Sequence, residues 1–137
     1  MEIRSCVVCI TGGASGVGAA TARHLTALGA QVGLFDFDFE KAAQLAQEIG
    51  AFPIQCDVSQ SDAVQDAFAA SAEYWGKPAQ IIVNCAGIAP AARIVGRDGK
   101  LSTALFRQVI DVNLIGTYNV MSYGIQAMLS AEPQNSG

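Results

Sequence analysis

The sequence is poor in basic residues, with 8 Lys and Arg against 12 Asp and Glu in 137 residues, and they form no run. A formal net charge of -4 argues against an electrostatic grip on nucleic acid or on an anionic membrane surface. The only histidine, His24, lies beside Arg23 and is expected at the surface. Any phosphate that this chain binds must therefore be held by backbone amides rather than by a basic patch.

Long apolar runs are also missing. The apolar segment that follows Arg4 is only about six residues long, too short for a signal-peptide core or a membrane span, so we expect a cytoplasmic protein. Cysteines are few, at positions 6, 9, 56 and 85. Cys6 and Cys9 have the C-x-x-C spacing, but in a strand their odd separation puts them on opposite faces. We therefore predict four ordinary buried thiols and no metal site.

What the sequence does contain is an alternation of short Val/Ile-rich segments with longer segments of helical period, typical of β-α-β units. We predict strands at residues 4–10, 31–36, 51–56 and 79–85. Three intervening helices each carry an inward stripe: Val17, Thr21, Leu25 and Leu28; Ala42, Leu45, Ala46 and Ile49; and Val64, Ala67, Phe68, Ser71 and Trp75. Left-handed caps are expected after these helices at Gly29, Gly50 and Gly76.

A fourth, long helix is predicted over residues 102–129. Its inward row is expected to be Leu105, Val109, Val112, Gly116 and Val120. Residues 88–101 have the composition of a flexible insertion, and residues 131–137 that of a polar loop. Four strands, each followed by a helix, predict a doubly wound parallel sheet, the Rossmann fold. We interpret residues 1–137 as one such domain, incomplete at its C-terminus, forming the N-terminal portion of a three-layer α/β/α sandwich.

A glycine-rich turn, residues 11–18, joins the first strand to the first helix. Gly12, Gly16 and Gly18, with Ser15 and Val17 between them, would let the backbone approach a pyrophosphate at the positive end of the helix. The spacing is G-x-x-x-G-x-G, and no Lys-Ser/Thr pair follows as a P-loop requires. The alternative is a tight strand-to-helix turn that binds no ligand.

An acidic residue ends the second strand. Asp36 follows Gly18 by eighteen residues, where its carboxylate can accept hydrogen bonds from an adenosine ribose and would repel a 2'-phosphate. Asp38 adds a second negative charge, and no Arg or Lys lies near the turn or just after Asp36. The sequence thus favours NAD over NADP. Asp38 lies just before the second helix, so we expect Asp38 rather than Asp36 to cap that helix.

Four motifs together resemble the short-chain dehydrogenase/reductase family over essentially the whole chain. The glycine-rich turn is similar to the family's cofactor motif, and Asp57-Val58 resembles its adenine-contacting acid and the residue after it. Residues 84–87 resemble the Asn-Asn-Ala-Gly signature, with Cys85 in place of the second Asn. The resemblance implies that Cys85, Ala86 and Gly87 lie at the cofactor.

The fourth motif is Asp111-Val112-Asn113-Leu114, in which Asn113 resembles the helix asparagine of the family's catalytic group. Asn113 continues the inward row of the long helix, so we expect a buried amide that must be satisfied. Two roles stay open for it. In the family it holds a water in a proton relay, and otherwise it is a structural amide bonded to neighbouring backbone.

The family's catalytic Ser and Tyr-x-x-x-Lys lie beyond a fifth strand, and none of Tyr74, Tyr118 and Tyr123 is followed four positions later by Lys. That Lys lowers the pKa of the tyrosine that exchanges a proton with the substrate oxygen during hydride transfer. The resemblance therefore implies that this chain binds the cofactor but lacks the general acid/base. We expect it to be inactive alone.

Residues 84–89, the polar insertion and residues 111–120 look like the type-2 3-hydroxyacyl-CoA dehydrogenase branch of the family. This implies NAD-dependent oxidation of 3-hydroxyacyl-CoA thioesters, as in fatty-acid breakdown, by a tetramer. Arg93, Arg97 and Lys100 could meet CoA phosphates, although a solvated loop also explains them. The alternatives are another member of the family, such as a 3-oxoacyl thioester or sugar reductase, and a non-catalytic NAD-binding module.

Overall fold

The computed structural model describes residues 2–130, so the loop predicted at 131–137 lies outside the described residues. Its strands are β1 (Val7–Thr11), β2 (Gln31–Asp36), β3 (Phe52–Gln55) and β4 (Ile81–Asn84). Its helices are α1 (Gly16–Ala27), α2 (Phe39–Ile49), α3 (Ser61–Trp75), α4 (Thr103–Ile110) and α5 (Thr117–Leu129), with a π-helical turn (Asp111–Gly116) between the last two. The predicted alternation of strands and helices is confirmed.

All strand pairs are parallel, in the order β3-β2-β1-β4. The chain therefore builds outward from β1 to β3, then crosses back to place β4 on the other side of β1. This reversal is the switch point of a doubly wound sheet, and it confirms the predicted fold class. Pro53 is tolerated in β3 because, among residues 2–130, β3 pairs only with β2 and forms an edge of the sheet.

Apolar side chains cover both faces of the sheet, as a parallel sheet requires. Alternate residues of β1 divide between the faces: Val7 and Cys9 pack with α3 and α5, whereas Val8 and Ile10 pack with α1 and α2. On the first face the rings of Phe35 and Phe68 meet edge to face at 5.1 Å. The result is three layers, with the sheet between two pairs of helices.

The helix ends follow the predicted chemistry. Asp38 caps α2, since its side chain accepts a hydrogen bond from the Lys41 amide. Gly29, Gly50 and Gly76 all have positive φ, at 89°, 73° and 70°, which confirms the predicted left-handed caps.

Three strands differ from their predicted bounds: the third, Phe52–Gln55, by one residue at each end, and the first and last by more. The first strand begins at Val7 rather than at residue 4, because residues 3–6 form a turn in which the Cys6 amide bonds to the Ile3 carbonyl. Ser5 lies in this turn with a φ of 64°. The last strand is also shorter than predicted, at Ile81–Asn84. The apolar segments of the sequence are longer than the stretches of backbone that pair with a neighbouring strand.

The inward row predicted for α1 is only partly correct: Leu25 packs against the core as predicted, but the buried residues are Gly18 and Ala22. Val17 and Leu28 are 75% and 44% exposed, while Gly18 and Ala22 are buried against the sheet. The two small residues allow the helix backbone to approach the sheet closely, and a stripe drawn through large apolar residues misses them. The stripes predicted for α2 and α3 are confirmed at their central positions, and Ile49 and Trp75 are partly buried against the same clusters.

The predicted helix at 102–129 is interrupted by the π-helical turn at Asp111–Gly116. This wider turn changes the phase of the helix, so a row drawn at 3.6 residues per turn does not stay on one face. Gly116 and Val120 are buried as predicted, but Leu105, Val109 and Val112 are only half-buried. Within the described residues, no helix is long and apolar enough to span a membrane.

Candidate nucleotide-binding site

A cleft of about 760 Å³ opens at the carboxyl ends of the strands, beside the switch point between β1 and β4. Its size lies within the range of about 300–1,000 Å³ that is usual for ligand pockets. All the residues predicted to contact a cofactor line it: Gly12, Ser15, Gly16, Val17, Gly18, Asp36, Asp57, Val58, Cys85, Ala86 and Gly87. The structure thus brings together four separate segments of the chain: the glycine-rich turn, the end of β2, the loop after β3 and the loop after β4.

The glycine-rich turn forms the floor of the cleft, and two of its glycines are required by close backbone approach. A Cβ on Gly18 would overlap the carbonyl oxygen of Gly12, with the carbonyl carbon only 2.8 Å away. A Cβ on Gly12 would lie 2.8 Å from the amide nitrogen of Ala86. No side chain in the described part of the chain caps the N-terminus of α1, where Ser15 is the N-cap residue. The amides of its first turn therefore remain available to an anion.

Asp36 is fixed at the end of β2 by two backbone amides. Its Oδ2 accepts a hydrogen bond from the Ala14 amide at 2.9 Å, and its Oδ1 accepts one from the Asp38 amide at 2.9 Å. A carboxylate has about four acceptor sites, so this arrangement leaves capacity for two hydroxyl groups of a sugar. The nearest basic group on α2, Lys41, is already paired with Asp38 at 2.8 Å.

The loop after β3 forms one wall. Asp57 Oδ1 accepts hydrogen bonds from both the amide and the hydroxyl of Ser59, at 3.0 and 2.7 Å. Its Oδ2 accepts no hydrogen bond from residues 2–130 and is free to meet a ligand. Val58 is 5% exposed, and its side chain joins the core cluster beneath α3 and α5. An acidic and an apolar group thus lie side by side, which suits an aromatic ring carrying an amino group.

The loop after β4 forms the opposite wall. The hydroxyl of Thr11, which is 1% exposed, accepts hydrogen bonds from the amides of Cys85 and Ala86, both at 3.2 Å. This residue was not singled out from the sequence, although it joins the end of β1 to the loop after β4. Cys85 is half-buried rather than buried as predicted, because it lines the cleft.

Asn113 is exposed, so the prediction of a buried amide is wrong. Its side chain is nevertheless fully engaged: Oδ1 accepts from the Ile88 amide and Nδ2 donates to the Ile88 carbonyl, both at 2.8 Å. The amide of Asn113 therefore forms its hydrogen bonds with the backbone of Ile88 beside the cleft, and it does not lie in the core. The structure thus shows the structural contact that was one of the two roles left open.

Two of the buried thiols, Cys9 and Cys56, have a raised pKa. Burial raises the pKa of Cys9 to about 12, against which its contact with Ser71 is a smaller effect. Burial also raises the pKa of Cys56 to about 12, and the charge of Asp57 adds to this. Cys56 borders the cleft, and with this pKa its thiol is expected to be protonated at neutral pH. Within residues 2–130 no cluster of three His, Cys, Asp or Glu side chains could hold a metal ion.

The predictions missed a third wall, which comes from α4 and the π-helical turn. Its members include Ala104, Arg107, Gln108 and Asp111. Their spacing of three, four and seven residues marks one face of a helix, so the signal was present in the sequence. It was overlooked because the face is mostly polar, and the helix was read only for its apolar row. Phe37, 73% exposed and next to Asp36, also borders the cleft.

A parallel α/β sheet with a glycine-lined cleft at its switch point defines the Rossmann-like class of domains. Within that class, a family described as short chain dehydrogenase matches residues 6–137. The chain belongs to this family, whose members are oxidoreductases, and membership implies a nicotinamide nucleotide cofactor.

The chain is 37% identical to 3-hydroxyacyl-CoA dehydrogenase type-2 of Bos taurus over 99% of its own length and 53% of that protein. It is 34% identical to the protein of the same name in Drosophila melanogaster, over 98% of this chain and 54% of that one. The crystal structure of gox2181 matches with a TM-score of 0.81 and 26% identity, covering 93% of this chain and 51% of that one. The chain thus spans about half the length of the curated relatives it matches.

Proposed function

We propose that this chain is the nucleotide-binding half of an NAD-dependent dehydrogenase that, when complete, oxidises 3-hydroxyacyl-CoA thioesters to 3-oxoacyl-CoA. The observation that carries the proposal is that the glycine-rich turn, Asp36, the loop after β3 and the loop after β4 line one cleft at the switch point of the sheet. The acyl-CoA substrate is supported by the similarity to 3-hydroxyacyl-CoA dehydrogenase type-2 of cattle and fly.

In this proposal the pyrophosphate lies against the first turn of α1. The amides of Gly16, Val17 and Gly18 have no intrahelical partner there, and the helix dipole favours an anion. The glycines at 12 and 18 keep the loop tight enough for this approach. No basic side chain is needed, in keeping with the low content of Lys and Arg.

Asp36 is proposed to accept hydrogen bonds from the adenosine ribose. Because both of its oxygens are already held by backbone amides, it is oriented before the ligand arrives. A 2'-phosphate at this position would meet the negative charge of Asp36, so NAD should bind more tightly than NADP. Adenine would then lie between Val58 and Phe37, with its amino group towards Asp57.

The nicotinamide end is proposed to lie against the backbone of 85–88. NAD supplies the hydride acceptor, while this chain holds the ring and, through Asn113, fixes the loop at Ile88. The proton from the substrate hydroxyl needs a Tyr-x-x-x-Lys, which these 137 residues do not contain. We therefore propose that the chain alone binds NAD without turnover. By its resemblance to the 3-hydroxyacyl-CoA dehydrogenase branch, we also propose that the complete enzyme is a homotetramer, and we place it in the cytoplasm.

Cofactor choice can be tested by calorimetric titration of the 137-residue chain with NAD and with NADP. We expect NAD to bind at one site with a Kd at least tenfold lower than that of NADP. Asp36→Asn should weaken NAD about tenfold and reduce the discrimination, since a charge-assisted hydrogen bond contributes about 1.5–3 kcal/mol. Asp66→Asn, on an exposed position of α3, is the matched control. Equal binding of the two nucleotides would overturn the assignment of Asp36.

The reaction can be tested on a protein that joins this chain to a Tyr-x-x-x-Lys segment. We expect NADH to form from a 3-hydroxyacyl-CoA, and the chain alone to give none. Turnover only in the direction of NADPH-dependent reduction of a 3-oxoacyl thioester would replace the proposed reaction with the reductase alternative. Tight NAD binding without any turnover would favour the non-catalytic module instead.

A further inference from the structure

The π-helical turn and α5, taken together as one helical unit, contact two walls of the cleft, those formed by the loops after β3 and β4. Asn113, in the π-helical turn, bonds to Ile88 after β4, and Asn119, in α5, donates from Nδ2 to the carbonyl of Val58 after β3 at 3.0 Å. The strands β3 and β4 are the two outer strands of the sheet. The unit therefore ties together loops that start at opposite edges, although Asn119 and Val58 are 61 residues apart in sequence.

The segment 58–61 is held by α5 and the turn before it at three points along one helix face. A Cβ on Gly116 would lie 2.5 Å from Val58 Cγ2, so the lack of a side chain at Gly116 leaves room for the side chain of Val58. Asn119 holds the Val58 carbonyl, and the hydroxyl of Tyr123 is 2.8 Å from that of Ser61. Residues 116, 119 and 123 are spaced by three and four, as neighbours on a helix are.

Among these contacts, only the bond from Asn119 reaches the main chain of the loop from a distant element. Within residues 2–130, the other hydrogen bonds to the backbone of residues 57–60 come from the loop itself and from the first turn of α3. Val58 lines the cleft between Asp57 and Ser59, so a shift of its peptide moves both neighbours. Within residues 2–130, Asn119 thus supplies the one hydrogen bond that fixes the Val58 peptide from outside the loop and α3.

We propose that Asn119 is a positioning residue that sets the affinity of the cleft for the adenine end of the dinucleotide. The inference rests on the proposed function, which places adenine against Asp57 and Val58. Asn119 lies on α5 and does not line the cleft, so it acts through Val58. Because its partner is a carbonyl oxygen, the requirement is for a donor at this position.

The test uses Asn119→Asp, which keeps the shape of the side chain but places an acceptor against the Val58 carbonyl. Gln126→Glu makes the same amide-to-acid change at an exposed position of α5 and is the matched control. The 137-residue chain is titrated with NAD, with AMP and with nicotinamide mononucleotide. We expect Asn119→Asp to weaken NAD and AMP by a similar factor of about tenfold. Nicotinamide mononucleotide should change less than twofold, and Gln126→Glu should change none of the three.

Two outcomes would overturn the proposal. Unchanged affinity of Asn119→Asp for AMP would show that the bond does not position the wall, and an equal loss for AMP and nicotinamide mononucleotide would show general damage. If Asn119→Asp does not fold, Asn119→Ala, which removes the donor without adding charge, should still weaken AMP about threefold. Failure of the unaltered chain to bind NAD and AMP would instead refute the proposed function on which the inference rests.

Discussion

Replacing Gly18 with alanine tests whether the tight glycine loop is required for nucleotide binding. The added Cβ would overlap the Gly12 carbonyl oxygen and lie 2.8 Å from the carbonyl carbon, whereas ordinary van der Waals contact begins near 3.4 Å. Both atoms belong to backbone, so no side chain can rotate away. The loop or the helix must move by several tenths of an ångström or more.

Overpacking of this kind costs about 1–3 kcal/mol, offset by up to about 1 kcal/mol from the better helix propensity of alanine. The displaced loop also carries the amides proposed to hold the pyrophosphate. We therefore expect Gly18→Ala to raise the Kd for NAD at least tenfold and to lower the Tm by a few degrees. Calorimetric titration and thermal unfolding followed by circular dichroism measure the two effects.

Gly124→Ala is the matched control. Gly124 is also a buried helical glycine, and a Cβ there would overlap Ile82 Cδ1 and lie 3.1 Å from Phe68 Cζ. These are core side chains rather than the backbone of the nucleotide loop. We expect this variant to lose stability while its NAD affinity stays within about twofold. A normal NAD affinity in Gly18→Ala, or an equal loss of affinity in Gly124→Ala, would refute the reasoning.

Three further predictions follow from the contacts and the thiols. Asp38→Ala should lower the Tm by a few degrees because the Lys41 amide loses its cap, while Asp38→Asn should keep most of the stability. Burial raises the pKa of Cys9 and Cys56 from 9.0 to about 12, so the folded state keeps protons that the unfolded chain releases. Their contribution to the free energy of unfolding should be fully present below about pH 9 and lost as the pH rises to about 12. Urea unfolding at a series of pH values should show this decline. In a Cys9→Ala/Cys56→Ala variant, the decline of the free energy of unfolding with pH should be smaller. Cys85 should react with a maleimide faster than Cys9 because it is half-buried at the cleft, and bound NAD should slow the reaction; equal rates with and without NAD would remove Cys85 from the proposed site.

Much of the fold could be predicted because its signals are local. The bounds of β2 agree with the prediction, and the cap at Asp38 and the left-handed glycines follow from residue chemistry within one turn. Asp36 could be placed for the same reason: a strand end and a spacing from Gly18 fix it relative to the loop. These features need no knowledge of distant contacts.

The features that were missed depend on long-range geometry. The π-helical turn shifts the phase of the long helix, so Asn113 reaches the Ile88 backbone rather than the core. The bond from Asn119 to Val58 joins residues that no local pattern relates. Val17 was predicted both in the inward row of α1 and at the cofactor; it is exposed and lines the cleft, so only its place in the inward row was wrong.

The most direct test of the central claim is to map NAD binding on the backbone amides of the 137-residue chain by NMR titration. We predict saturable shifts at the glycine-rich turn, at Asp36, at Asp57–Val58 and at residues 85–88. No comparable shifts are expected at the opposite end of the sheet, near Gly50 and Gly76, where the strands begin. Shifts confined to other surfaces, or none at millimolar NAD, would contradict the assignment of this cleft as the nucleotide site.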